Sequence, residues 1–389
     1  MSRYFRTAVL FAVVAIIGST PGLASAAPIP AEKPKNIDLV ICLDVSNSMD
    51  GLIESAKLRL WDIVNELARA KPTPDLRVAL YSYGHNNYPA DKGWVRKELD
   101  LTTDLDEVYA KLTALRTNGG TEYVARVTRD AIAEQKWTDK ANALKVIFVC
   151  GNEPADQDKE VHLYDVAAMA KKQGVLINTI YCGANANAEA AGWRNYATQA
   201  GGSYANIDQD RARRDPVAGI KSPHDERLLE LNGKLNGTYV AFGDDGAAKG
   251  ANQVLQDSAA AKASPSAALA RAESKANGLY RNGSWDLIDR MRDDPKFDVT
   301  KLKDEELCEE MRKLKPEERL AYLKKKAEER VAIQKEINDL SGKRAKYVAE
   351  QVKKIPKSEG EKALDEAFKG IIRDQAQAKG FEFPAAEKK

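Results

Sequence analysis

The chain has 389 residues, with 60 Lys or Arg against 58 Asp or Glu, so its formal net charge is +2. Hydrophobic residues make up 43% and charged residues 30%, which excludes a wholly disordered chain and a protein that crosses a membrane many times. The near balance of charge also excludes a protein built to coat nucleic acid, which needs a basic surplus. At roughly 100–200 residues per domain, the length predicts two or three domains.

The first 26 residues have the pattern of a secretory signal peptide. Arg3 and Arg6 precede an apolar run over residues 8–17, which is too short to cross a membrane. An A-x-A cleavage site ends at Ala26. We therefore expect an exported protein, secreted or periplasmic, with no membrane span after cleavage. The two arginines account for the whole positive surplus.

Strand and helix patterns alternate between residues 36 and 208. Apolar runs are typical of strands covered on both faces, and apolar side chains spaced at the helical period are typical of amphipathic helices. Strands are predicted over 37–43, 77–83, 96–101, 145–150, 175–181 and 203–207, and helices over 52–70, 105–115, 122–134, 161–173 and 188–200. The alternation predicts an α/β fold, with a doubly wound, mostly parallel six-stranded sheet and helices on both sides.

The composition changes after about residue 208. Residues 209–300 are typical of a polar linker followed by helices, with one Ala/Ser-rich helix over 259–276. Residues 301–389 are rich in both charge signs with few helix breakers, which predicts long helices, arranged as a coiled coil or as a hairpin broken near Ser341-Gly342. We expect this α-helical region to space the first domain, to form oligomers or to bind a second partner.

The cysteines and histidines indicate no catalytic residue and no zinc site. Four cysteines are too few for a disulfide scaffold, and three of them lie in apolar runs typical of buried thiols. A Cys150–Cys182 bridge is the alternative if their strands are neighbours. His85 follows the second strand, where it is a solvated loop residue or a contributor to partner binding. No histidine lies in a zinc-binding or protease motif.

Oxygen-bearing side chains follow the first predicted strand. Asp44, Ser46 and Ser48 alternate along the turn that leads into the next helix. Ligands of open α/β sheets bind at the carboxyl ends of strands, and Mg²⁺ prefers oxygen ligands in octahedral geometry. The turn therefore predicts a site for a hard divalent cation. The alternative is that one of these side chains caps the helix that begins near Asp50.

Residues 36–208 resemble the von Willebrand factor A (vWA) domain, because Asp44, Ser46 and Ser48 match its D-x-S-x-S metal-ion-dependent adhesion site (MIDAS). In that family a threonine between the second and third helices completes the site, and Thr121 in the sequence TNGGTE matches it. The resemblance implies a divalent cation, Mg²⁺ or a similar ion, above the sheet. It also implies a protein partner that presents a carboxylate to that ion.

This chain departs from the family pattern after the fourth strand. The family has a second aspartate there, whereas this chain has Gly151 in the sequence CGNEP. One negative charge is therefore missing from the pattern. Asn152, Asp156 and Asp158 are the nearby side chains that could replace it.

These observations favour a secreted binding protein that engages a protein partner through a metal site, and not an enzyme. The alternative is a metal-independent scaffold protein of the cell envelope, which the replacement at Gly151 supports. A hydrolase that uses the metal to activate water ranks third, because the sequence positions no general base beside Asp44.

Overall fold

The structure is a computed structural model that describes residues 35–208, 219–354 and 364–384. The predicted signal peptide, residues 1–26, falls outside these ranges, and so do residues 209–218 of the predicted polar linker. Within them, no helix combines the length and the apolarity that crossing a membrane requires.

The strands of the described residues form one six-stranded sheet in the order β3-β2-β1-β4-β5-β6. They are β1 Asn36–Asp44, β2 Asp75–Tyr83, β3 Val95–Thr102, β4 Leu144–Gly151, β5 Leu176–Tyr181 and β6 Gly201–Asn206. Neighbouring strands are parallel except for the antiparallel pair β2 and β3. The predicted α/β fold class is confirmed. The strand order reverses at β1, so ligands are expected at its carboxyl end.

Helices cover both faces of this sheet because successive strand residues point to opposite sides. In β1, Leu39, Ile41 and Leu43 belong to one apolar core, and Val40 and Cys42 belong to the other. The first core is covered by α1 (Asp50–Ala68) and α2 (Leu105–Ala114). The second is covered by α3 (Val124–Glu134), α4 (Leu163–Gln173) and α5 (Ala190–Gln199).

The second half of the chain is helical, with one break that the sequence analysis missed. Its helices are α6 Asp225–Asn236, α7 Gly246–Ala263, α8 Pro265–Lys275, α9 Leu287–Asp293, α10 Glu309–Arg312, α11 Pro316–Val352 and α12 Leu364–Ala378. The prediction of a single helix over 259–276 is wrong, because Ser264 separates two helices, one ending at Ala263 and one beginning at Pro265. The residue before a proline is driven to extended backbone, and Ser264 then caps α8 by accepting the Ala267 N–H at 3.0 Å.

The hairpin break predicted near Ser341-Gly342 is also wrong. The helix α11 runs through both residues for 37 residues in all. Glycine in a helix interior costs about 1 kcal/mol relative to alanine, which one residue in a long helix tolerates. Ser341 and Ile337 are buried on the same side of α11, where the helix packs on α6 and α8. A coiled coil with a second chain stays a prediction.

The last helix, α12, covers part of the sheet. The Phe368 ring stacks on that of Phe148 in β4 at 4.0 Å between centroids, and both side chains are buried in the first core. Gln375 exchanges hydrogen bonds with Asn178 of β5 at 2.6 and 3.0 Å. The sequence-derived boundary at residue 301 stays a prediction, but residues 364–384 complete the core of the α/β part.

Buried charges join the helical half to the sheet layer. Arg271 of α8 pairs with Asp106 of α2 at 2.7 Å and with Asp257 of α7 at 2.5 Å. Lys275 also pairs with Asp257, at 3.0 Å. The Arg271 and Lys275 side chains are fully buried, so each needs these carboxylates to offset the loss of water.

The four cysteines are free thiols. Cys150 and Cys182 lie at the ends of the neighbouring strands β4 and β5, yet form no bridge. Burial raises the pKa of both thiols well above its ordinary value, so neither has the thiolate character of a nucleophile.

Candidate metal site

Three of the predicted ligands, Asp44, Ser46 and Ser48, lie on the turn at the carboxyl end of β1. Asp44 is fully buried, and its Oδ1 accepts the backbone N–H of Ser46 at 2.8 Å. The hydroxyls of Ser46 and Ser48 are 3.2 Å apart. Ser46 is buried and Ser48 is exposed, so the group runs from a buried carboxylate to a hydroxyl at the surface.

Backbone hydrogen bonds connect the loop that carries Thr121 to this turn. The Asn47 N–H donates to the Gly119 carbonyl at 2.7 Å, and the Asn118 N–H donates to the Val45 carbonyl at 2.9 Å. Thr121 follows directly and is half-buried. The structure therefore places the threonine loop, which is distant along the chain, beside the D-x-S-x-S turn, as the resemblance implies.

The helix-capping alternative is not found for these serines. Ser46 precedes a short 3₁₀ turn without making a side-chain capping hydrogen bond, and α1 has Met49 at its N-cap. Asp50, in the first turn of α1, instead accepts a hydrogen bond from Thr117. The hydroxyls of the turn are thus directed to each other and to the neighbouring loops.

Gly151 occupies the position of the missing family aspartate, and a side chain there meets close contacts. A Cβ at Gly151 would lie 2.6 Å from the Tyr83 Oη, 3.0 Å from the Trp193 ring and 3.2 Å from Asp44 Oδ2. The Tyr83 hydroxyl donates to the Cys150 carbonyl at 2.9 Å. Tyr83 therefore fills the space into which a side chain from position 151 would extend.

Of the three suggested replacements for that aspartate, one reaches the site. Asn152 accepts a hydrogen bond from the Ser48 hydroxyl at 3.2 Å. Asp158 instead binds the Arg126 guanidinium through both oxygens, at 2.8 and 2.9 Å, so its carboxylate is engaged away from the site. Asp156 is exposed on the loop between them.

A carboxylate outside the predicted ligand set, that of Glu122, lies close enough to Asp44 for its charge to act there. Glu122 is 6% exposed, and a Cβ at Gly84 would lie 3.0 Å from Asp44 Oδ1 and 3.1 Å from Glu122 Cγ. Burial, and then the charge of Glu122, raise the pKa of Asp44 to about 8. Burial also raises the pKa of Glu122. The signal was present as the residue after Thr121, but nothing in the sequence places it against Asp44.

The donor set fits a hard divalent cation. Asp44 Oδ2 is buried and has no hydrogen-bond partner among the described residues. Carboxylates and hydroxyls are ligands for Mg²⁺, Ca²⁺ or Mn²⁺. The described residues contain no group of three or more His, Cys, Asp or Glu side chains able to hold an ion, so a site here depends on the serine and threonine hydroxyls.

His85 lies on the loop after β2 and stacks on Tyr88, with 4.7 Å between ring centroids. Its Nδ1 accepts the Asn87 N–H at 3.1 Å. Partial burial, and then the Arg96 charge, lower its pKa, which favours a neutral ring at pH 7. This arrangement agrees with a loop histidine held by its neighbours.

Residues 38–208 match the family profile of the von Willebrand factor type A domain. Curated protein sequences give no match. Among solved structures, proximal thread matrix protein 1 from the mussel byssus, with a zinc occupied MIDAS motif, matches at a TM-score of 0.37 and 14% identity, over 46% of this chain and 44% of that one. The chain thus spans less than half of the mussel protein.

Two further solved structures show the same level of similarity. The SpRpn10 VWA domain matches at a TM-score of 0.36 and 18% identity, over 46% of this chain and 96% of that one. The pilus adhesin SpaC from Lactobacillus rhamnosus GG, in an open conformation, matches at a TM-score of 0.35 and 14% identity, over 46% of this chain and 29% of that one.

Proposed function

Since the chain contains a von Willebrand factor type A domain over residues 38–208, we propose that this domain binds a divalent cation and, through it, a protein partner. Domains of this family are in general protein-interaction modules and not enzymes. The proposed ligands are Asp44, Ser46, Ser48 and Thr121, and the proposed ion is Mg²⁺ or a similar hard cation. From residues 1–26 we propose that the protein acts outside the cytoplasm.

The observation that carries this proposal is the unpartnered oxygen of Asp44. A carboxylate buried without a partner costs several kcal/mol, in the range typical of uncompensated buried charges. Asp44 is fully buried, and its Oδ2 has no hydrogen-bond partner in the described part of the chain. A cation at this oxygen would remove the cost, which explains why the fold keeps an acid in this place.

The exposed side of the site is suited to a partner. Ser48 and Asn47 are exposed, whereas Asp44 is not, so an approaching group meets the hydroxyl end. When bound, the cation supplies a positive charge to which a partner carboxylate can coordinate. The exposed side chains of the turn, Asn47 and Ser48, carry no charge, so they would not repel an anionic ligand from outside.

The test is calorimetric titration of the full chain with Mn²⁺ and with Mg²⁺. We expect binding at one site, and we expect Asp44→Asn to abolish it because the buried charge is lost. Asp156→Asn, which removes an exposed acid from the nearby loop, is the matched control and should bind as the unmutated chain does. Absence of metal binding by the unmutated chain would contradict the proposal.

A thermal measurement separates this function from the metal-independent scaffold. An ion that binds only the native state raises the unfolding midpoint in proportion to the logarithm of its concentration. We expect EDTA to lower the midpoint of the unmutated chain and to leave that of Asp44→Asn unchanged. A midpoint indifferent to EDTA in both proteins would favour the scaffold.

A further inference from the structure

We infer that Glu122 is a ligand of the proposed cation and supplies the second negative charge that the family pattern places at position 151. This inference deepens the proposed function and depends on it. It concerns a residue outside the D-x-S-x-S motif, brought to the site by the loop that also carries Thr121.

The position of Glu122 is fixed by glycines that leave room for its side chain. A Cβ at Gly120 would lie 2.1 Å from Glu122 Oε1 and 2.7 Å from Ser46 Cβ. A Cβ at Gly84, where φ is +87°, would lie 3.1 Å from Glu122 Cγ and 3.0 Å from Asp44 Oδ1. The absence of side chains at Gly84 and Gly120 therefore leaves room for Glu122 next to Ser46, where its charge acts on Asp44.

The carboxylate of Glu122 is held by hydrogen bonds from the side chains of Gln157 and Ser46. Its Oε2 accepts a hydrogen bond from the Gln157 amide at 3.1 Å, and Oε1 lies on the side of Ser46. This geometry orients the carboxylate while leaving acceptor capacity on the oxygen nearest the D-x-S-x-S turn. In metal sites, carboxylates that bind the metal are commonly oriented by hydrogen bonds from neighbouring side chains, as Gln157 would orient Glu122 here.

The charges around Glu122 leave an unbalanced negative pair. The charges of Glu122 and Glu153 both act on Asp44, and that of Glu153 also acts on Glu122. The nearest base along the chain, Arg126, is engaged by Asp158 and Glu160 at 2.8 and 2.9 Å. The charge of Glu122 disfavours ionisation of Asp44, and a divalent cation bound by both carboxylates would favour their ionised forms.

A carboxylate from Glu122 would replace the one that Gly151 does not provide. Tyr83 fills the space beside position 151, so a carboxylate from β4 does not fit there without movement. The second acid instead lies beside Gly84, where a Cβ would come within 3.1 Å of Glu122 Cγ and 3.0 Å of Asp44 Oδ1. Together with the unpartnered Asp44 Oδ2, the two carboxylates and the hydroxyls form a donor set of the kind that a hard cation prefers.

The experiment compares Glu122→Gln with Glu153→Gln in the full chain, titrated with Mn²⁺ alone. Glutamine keeps the shape of Glu122 but removes its charge. We expect Glu122→Gln to weaken Mn²⁺ binding by at least about tenfold, the lower end of what even outer partners of metal ligands contribute. Glu153 is exposed, so Glu153→Gln should change the affinity much less.

A second measurement keeps the inference testable if Glu122→Gln changes folding. In EDTA, Glu122→Gln should keep a thermal midpoint close to that of the unmutated chain, because glutamine preserves the size and shape of the side chain. On addition of Mn²⁺ its midpoint should rise by less than that of the unmutated chain. A purely structural role of Glu122 predicts instead a lower midpoint in EDTA with an unchanged metal-induced rise.

The outcomes separate this inference from the proposed function. If Asp44→Asn abolishes Mn²⁺ binding and Glu122→Gln binds with unchanged affinity, the inference is overturned and the proposed metal site stands. If the unmutated chain binds no Mn²⁺, both are overturned. Weaker binding by Glu122→Gln and by Glu153→Gln to the same extent would also overturn it, because the effect would then be that of charge at a distance.

Discussion

Gly151 and Tyr83 form a complementary pair in which each residue requires the other. The Tyr83 hydroxyl lies where a Cβ of residue 151 would come within 2.6 Å, and it donates to the adjacent Cys150 carbonyl. A change at either position therefore affects the packing at the end of β4, next to the buried Asp44. The consequence can be measured as stability, independently of any ion.

We expect Gly151→Ala to lower the free energy of unfolding by about 1–3 kcal/mol, the usual cost of an added carbon in a packed site. Removing the hydroxyl in Tyr83→Phe should cost about 1 kcal/mol through the lost hydrogen bond. The double variant should be more stable than the sum of the two losses predicts, because the hydroxyl that the new methyl would meet is then absent. Urea unfolding in EDTA measures all three.

The control for this cycle is Gly192→Ala in α5. No atom lies within 4 Å of a Cβ at Gly192, and alanine is favoured over glycine within helices. We expect this variant to be as stable as the unmutated chain or slightly more so. Additive losses for Gly151→Ala and Tyr83→Phe would contradict the proposed complementarity.

The site shows which contacts a sequence can reveal. Asp44, Ser46 and Ser48 are neighbours along the chain, so their convergence follows from the turn itself. Thr121 could be assigned through family resemblance alone. Glu122 was missed because its approach to Asp44 depends on the absence of side chains at Gly84 and Gly120, which is a property of packing between distant segments.

Among the helices and strands, local periodicity predicted the order of elements in the α/β part, and local chemistry explains the errors elsewhere. The Ser264-Pro265 pair carries a helix-start signal, an N-cap serine followed by proline, but the alanine-rich sequence around it hides the break. The amphipathic pattern of α12 indicates a helix. It does not tell which surface the helix covers, since that depends on contacts with Phe148 and Asn178.

The contact between α12 and the sheet is open to a stability test. Phe368 is 2% exposed and stacks on Phe148. We expect Phe368→Ala to reduce the free energy of unfolding by about 3–5 kcal/mol, as is typical for a buried aromatic side chain. Tyr164→Ala, at a tyrosine that is 72% exposed, should change it by no more than about 0.5 kcal/mol. Equal losses of unfolding free energy in Phe368→Ala and Tyr164→Ala would contradict the packing of Phe368 on Phe148.

Across the whole molecule, the buried charges of α2, α7 and α8 hold the helical half against the sheet layer. Arg271 and Lys275 share Asp257, and Arg271 also reaches Asp106. Burial lowers the pKa of Lys275 to about 8 from its ordinary 10.5. The unfolded chain therefore holds a proton between these two pH values that the folded chain has released.

The sign of the resulting pH dependence follows from this difference. Stability rises with pH where the unfolded state binds more protons, so the Lys275 contribution should increase from about pH 8 to pH 10.5 and stay constant below that window. We expect the stability of the unmutated chain relative to Lys275→Met to increase between about pH 7.5 and about pH 9.5 in urea unfolding. Titratable groups present in both proteins contribute equally to their stabilities and cancel in the comparison. A stability difference that does not change with pH would contradict the lowered pKa of Lys275.

The position of α12 also has a consequence for the order of events during synthesis. Domains in a growing polypeptide usually fold as each one emerges. Here the strands end at residue 206, but Phe368, whose ring stacks on that of Phe148 in the sheet, lies in a helix that is made much later. We expect the nascent α/β part to remain only partly folded until α12 has been made, so that its folding waits for the synthesis of the helical half.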